Sequence, residues 1–141
     1  MKKQWLLLAA LTVILGLLVG CSDSGATTGV INGYVYFNGG SPWTHAINVT
    51  IRVTGPNNYT VTSNSSGIYS ITGVAPYDSY NIEADFSTAT NKSTFVSGGT
   101  GTVNGAIILA GGSNEMYLND FHVSVTAGNT TSRDFVLNGS F

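Results

Sequence analysis

One cysteine, Cys21, stands in 141 residues, so no disulfide framework can staple this chain. Charge is nearly as scarce, with only 9% of residues Asp, Glu, Lys or Arg. Lys2 and Lys3 sit at the extreme N-terminus, which leaves Arg52, Lys92 and Arg133 against seven acidic residues. Three scattered cations on a mildly acidic chain form no patch for a phosphate backbone, and nucleic-acid partners are excluded as a class. Histidine occurs only at His45 and His122, and neither belongs to a His-x-x-Glu pair or a cysteine cluster that could hold zinc. No Gly-x-Ser-x-Gly elbow is present, and no glycine cluster is followed by Lys-Ser or Lys-Thr at the head of a helix. The acidic residues are too dispersed for a calcium loop, although Glu115, Asn119 and Asp120 could share a small site; a solvated turn is the plainer reading. These absences predict a non-enzymatic chain without cofactor or metal.

Long apolar runs are also missing. The one extended stretch, residues 5–19, falls short of the roughly 20 apolar residues that a bilayer span requires. With Lys2 and Lys3 before it and Leu18-Val19-Gly20-Cys21 after it, it reads as an export signal, 1–20, ending in a bacterial lipobox. The resemblance to bacterial lipoproteins implies that Cys21 carries a diacylglyceryl thioether and an N-acyl (palmitate-type) chain, a membrane anchor of more than one acyl chain. Ser22, in place of an aspartate, points to the outer membrane in a Gram-negative cell. Residues 21–29 have no apolar pattern and read as a lipidated tether, whose reach is roughly 15 Å. The expected address is the cell envelope.

Glycine, serine, threonine and asparagine are plentiful, and the aromatics lean to tyrosine. Too little charge and too many aromatics are present for a disordered chain. Ile47, Val49, Ile51 and Val53 alternate with Asn48, Thr50 and Arg52, the period of a strand with one buried face. The same period recurs at Ile31, Val35 and Phe37, with Tyr34 and Tyr36 on the opposite face. It recurs again at Tyr69 and Ile71, at Tyr80, Ile82, Ala84 and Phe86, at Phe121, Val123 and Val125, and in a last strand over 133–137. Tyr59 and Val61 predict a short strand, joined to the next through a hairpin-like loop at 63–67 with Gly67 in the left-handed region. Residues 87–120 are less regular. Phe95-Val96 and 103–110 read as strands beside glycine clusters at 98–101 and 111–114, and 103–109 could alternatively wind into a short helix. Turn signals every eight to twelve residues and no amphipathic helix predict an all-β sandwich.

The motifs then resemble the carboxypeptidase regulatory-like family. Its Gly-x-Val, Gly-x-Pro and Ala-x-Val-x-Val elements are matched by Gly33-Tyr34-Val35, Gly40-Ser41-Pro42 and Ala46-Ile47-Asn48-Val49-Thr50-Ile51. Ser63-Asn64-Ser65-Ser66-Gly67-Ile68-Tyr69 matches its hairpin, and Asp134-Phe135-Val136-Leu137 its closing strand. Asp78 replaces the usual glycine before the Tyr80 strand. The resemblance implies a transthyretin-like (prealbumin-like) Greek key, an antiparallel β-sandwich of about seven to nine strands, over residues 30–141, with 98–114 as an inserted hairpin. It also implies a non-catalytic module that accompanies surface proteins.

Two functions follow as expectations. The first is a lipid-anchored structural or protein-interaction module, with the membrane and other envelope proteins as partners. The second is a carbohydrate-binding module, which predicts coplanar exposed aromatics including Trp43, with Tyr34 and Tyr36 as the other stacking faces. Against that stands the plainer reading, that the tyrosines cover a sheet face while Trp43 plugs one end of the core. Six Asn-x-Ser/Thr sequons, at Asn48, Asn58, Asn64, Asn91, Asn129 and Asn138, reflect the polar composition and not glycosylation.

Overall fold

The computed structural model describes residues 25–93, 95–104, 106–109 and 116–141. The expected signal, Cys21 and residues 22–24 of the tether lie outside them, as does Glu115. Eleven strands run in chain order: β1 (Gly29–Asn38), β2 (Thr44–His45), β3 (Thr50–Thr54), β4 (Tyr59–Thr62), β5 (Ile68–Val74), β6 (Tyr77–Asp85), β7 (Val96–Val103), β8 (Ala106–Leu109), β9 (Tyr117–Val125), β10 (Thr130–Ser132) and β11 (Phe135–Ser140). The one helical turn among the described residues is a short 3-10 segment, Phe86–Thr88. A four-stranded sheet, β4-β3-β6-β9, faces a seven-stranded one built around β1. The architecture is the all-β sandwich that the alternation predicts.

The first strand organises the larger sheet. Its N-terminal half pairs with β5 on one side and β10 on the other; its C-terminal half pairs with β2 and β11. The pairings with β10 and β11 are parallel, a departure from the purely antiparallel expectation. β7 then adds to β11, and β8 to β7. Ile31, Val35 and Phe37 point into the core with Phe135 and Leu137, against Ile51, Val53, Tyr80, Ile82 and Ala84 from the smaller sheet. Burial of such β-branched and aromatic side chains, worth about 1.5–3 kcal/mol each, is what holds the two layers together. Tyr69 is buried as well, and its hydroxyl donates to the Arg133 carbonyl at 2.7 Å, which satisfies the one polar atom it carries inward. Arg133 in turn donates from Nε to Asp120 Oδ2 at 2.7 Å. That bond ties β9 of the small sheet to the junction of β10 and β11 in the large one.

Several local expectations change. The strand expected over 46–53 begins only at Thr50, because Asn48 takes φ 59°. Val49, Ile51 and Val53 are fully buried, whereas Ile47 is only half-buried. The left-handed residue rotates the chain and takes Ile47 out of the alternating register. Gly67 does take the left-handed conformation, with φ 69°, but 63–67 is no hairpin. It carries the chain from β4 in one sheet to β5 in the other, so neither strand pairs with its sequence neighbour across the loop.

The glycines at 98–101 do not break a strand; they lie inside β7, which pairs with β11 from Phe135 to Ser140. A Cβ on Gly101 would stand 2.6 Å from the Leu118 methyls and from the Val136 carbonyl, so a bare backbone lets β7 close over the core. Residues 103 and 106 then pair directly across Asn104, with φ 47°. This is the two-residue Asn-Gly hairpin signature, and it replaces the helical alternative for 103–109. Phe121 is 63% exposed although Val123 and Val125 are buried. His122, with φ 60°, sits where the β6–β9 register shifts, and the extra residue of this bulge turns Phe121 outward.

Candidate functional site

Outward side chains of β1 gather the aromatic residues that the sequence singles out. Strand alternation places Tyr34 and Tyr36 two positions apart on the outer face of the large sheet, with centroids 5.9 Å apart and ring planes within 16° of parallel. Trp43 follows from the loop 39–43, in which the Ser41–Pro42 peptide is cis. Its ring lies 6.0 Å from that of Tyr36 at a tilt of 54°. Trp43 is 52% exposed and Tyr34 43%; neither belongs to the core cluster. Trp43 therefore plugs no end of the core. The three rings form a continuous cluster, but the tilt of Trp43 means that they do not share one plane.

Two further groups join them. β2 is only two residues long, yet its register sets His45 directly across from Tyr36. The two rings meet edge to face at 5.1 Å, a geometry that aromatic quadrupoles favour. Asn91 fixes this corner by donating from Nδ2 to the His45 carbonyl at 2.7 Å and accepting from the Ile47 amide at 3.0 Å. At the other end of the row, the Tyr34 amide donates to Asp134 Oδ1 at 2.9 Å. The Asp134 amide donates to Asn104 Oδ1 at 2.7 Å, so the carboxylate is fixed beside Tyr34. Burial first, then Tyr34 and the negative charge of Asp134, hold the Tyr36 hydroxyl above the ordinary tyrosine range.

The floor beside the rings is partly apolar and partly hydrogen-bonding. Val136, opposite Tyr36 in the parallel pairing with β11, is 5% exposed without belonging to the core cluster. One step on, Asn38 Nδ2 donates to Asn138 Oδ1 at 2.9 Å. A surface of aromatic faces edged by amides, an imidazole and a carboxylate can stack on the apolar side of a ring-shaped ligand and exchange hydrogen bonds with its rim.

His45 and Asp134 were not among the residues singled out from the sequence. A two-residue strand shows no alternation, and Asp134 lies 100 positions from Tyr34. Only the hairpin-like approach of β2 and the parallel approach of β11 bring them together. His122 lies elsewhere, on the small sheet, where its Nδ1 is 2.8 Å from Ser79 Oγ. Asp120 is taken up by Arg133. Among the described residues no group of three or more His, Cys, Asp or Glu is placed to hold a metal ion. Likewise, no helix among them is long and apolar enough to cross a membrane.

No family model matches this chain, and no curated protein matches it. Among solved structures, it is similar to a Pseudomonas aeruginosa protein provisionally called a carbohydrate binding protein. The identity there is 14% and the TM-score 0.46, over 83% of this chain and 92% of the other. It is also similar to the pilus-presented adhesin Cpa, with 7% identity and a TM-score of 0.44, over 84% of this chain and 28% of that one. A mutant structure of the same adhesin gives 8% identity and a TM-score of 0.38. Likenesses of this degree say nothing of what the chain binds.

Proposed function

We propose that this chain is a lipid-anchored, non-catalytic binding module of the cell envelope, with the outer face of its large sheet as the recognition surface and carbohydrate as the ligand class. One observation carries the reading. Exposed Tyr34 and Trp43 cluster with half-buried Tyr36 between them on the outer face, while twenty-two other apolar residues form the core. Exposed aromatic clusters edged by polar groups are costly to keep on a soluble surface and mark interaction sites. The membrane-proximal end of the sandwich supports the orientation. The chain enters β1 at Gly29, and ten residues later, roughly 30 Å along the strand, it reaches the Trp43 corner, which would face away from the bilayer.

The aromatic cluster favours a sugar over the alternative of a structural or protein-interaction module, because its ring faces are edged by hydrogen-bonding side chains, Asn38, Asn138, His45 and Asp134. The carboxypeptidase regulatory-like reading fits a non-catalytic role of this kind.

Two expected results test the reading. The Tyr34→Ala, Tyr36→Ala, Trp43→Ala triple variant should stay folded and lose at least about tenfold in affinity for any oligosaccharide that binds the native domain in affinity electrophoresis, since each stacked ring contributes about 0.5–1.5 kcal/mol. Unchanged retardation would remove the cluster from the site. For the anchor, Cys21→Ser should move the protein to the soluble fraction and abolish the lipid-sized mass increment, because the acyl chains supply the membrane affinity. A variant still held in the membrane at unchanged mass would remove lipidation.

A further inference from the structure

Building on the carbohydrate reading, we infer that the aromatic surface selects oligosaccharides of uncharged sugars and rejects anionic ones, because a fixed carboxylate closes one end of the ring row and both arginines are paired with acids. The carboxylate is that of Asp134. Its Oδ1 is held by the Tyr34 amide at 2.9 Å and its own amide by Asn104, so the charge cannot swing away from a ligand lying on Tyr34 and Tyr36. Arg133 is adjacent in sequence but not in action. Its Nε is bound to Asp120 at 2.7 Å and its NH1 to the Ser132 carbonyl at 2.7 Å.

The other two cations lie away from the Asp134 end of the row. Arg52 lies on the smaller sheet and is paired with Glu83 and Asp85. Lys92 follows Asn91 at the His45 corner, the opposite end of the row from Asp134. Tyr36, whose hydroxyl is held up by burial first and then by Tyr34, feels the negative charge of Asp134 as well. A uronate chain laid across the rings would meet a like charge with no partner, whereas the hydroxyls of a neutral sugar can donate to the carboxylate. The remaining edge groups, the Asn38–Asn138 amide pair and the His45 imidazole, are hydrogen-bonding groups suited to hydroxyls and acetamides.

The test compares ligands of equal length on the intact native domain: cello-, manno- and chito-oligosaccharides against oligogalacturonate, followed by tryptophan fluorescence at low and at high salt. Neutral chains should bind about fivefold or more tighter than the uronate at low salt, a gap that narrows with added salt as the charges are screened. In Asp134→Asn the gap should close while neutral binding persists, because asparagine keeps the Oδ1 acceptor for the Tyr34 amide and removes only the charge. Circular dichroism verifies that the variant is folded. Equal or tighter binding of the uronate by the native domain would overturn the selectivity and leave carbohydrate binding standing. Failure of every chain to bind would overturn both. A gap that survives in Asp134→Asn would assign the discrimination to another group and overturn the role given to this carboxylate.

Discussion

Replacing Ile51 with aspartate should unfold the domain. Ile51 is fully buried in the middle of the small sheet, paired with Val61 on one side and Ala84 on the other. The substitution removes about 2–3 kcal/mol of apolar burial. It also places a carboxylate among core residues with no partner, at a cost of several kcal/mol more. Domains of this size hold only about 5–15 kcal/mol in total, so the loss consumes most or all of the stability. No nearby cation can rescue it, since Arg52 points to the other face and is engaged with Glu83 and Asp85. Far-UV circular dichroism and a thermal melt decide the matter, and a cooperative transition at the native midpoint would show that this face is not buried. Arg52→Ala, on the wet side of the same strand, is the matched control. That ion network is half-exposed, and its removal should cost no more than about 1 kcal/mol.

Gly33→Ala should be nearly as damaging, although it adds one methyl group. A Cβ at this position would lie 1.9 Å from the Arg133 carbonyl oxygen and 2.6 Å from its carbon. Those are backbone atoms, and they cannot rotate away. The same carbonyl accepts from the buried Tyr69 hydroxyl, and the Arg133 amide donates to the Asn32 carbonyl at 2.8 Å. Relief of the clash therefore requires β1 and the β10–β11 junction to part, with loss of both bonds. The expected cost is about 3 kcal/mol or more, in the range of severe overpacking, read as a drop in the denaturant midpoint. Gly25→Ala, with open space around it, should change nothing. Equal behaviour of the two variants would mean that the close approach of β11 to β1 does not constrain the fold. Because Tyr34 and Asp134 flank this junction, the Gly33 variant should also weaken any ligand that needs both.

Much of the fold was legible because burial on one face of a strand writes itself into the sequence at a period of two. Ile31, Val35 and Phe37, then Tyr80, Ile82 and Ala84, point inward just as their spacing implies. Tyr34 and Tyr36 emerge on the outer face by the same rule. The failures have a common cause. Asn48 and His122 adopt left-handed φ values, which the residue type permits but does not announce. Each inserts a half-step that sends Ile47 or Phe121 the wrong way. The glycines at 98–101 resemble a turn in composition, yet they lie in a strand, and at Gly101 the Leu118 methyls and the Val136 carbonyl leave no room for a side chain.

Taken alone, then, the order of residues determined the class of fold, the inward and outward faces of the long strands and the placement of Tyr34 and Tyr36 on one side of β1, because all three follow from local alternation. Tertiary structure decided which strands lie side by side, including the parallel placement of β10 and β11 along β1, and through it the meeting of His45 and Asp134 with the aromatic row. Contacts between residues as far as 100 positions apart are set by how whole sheets pack and close, and no window of neighbouring residues encodes that distance.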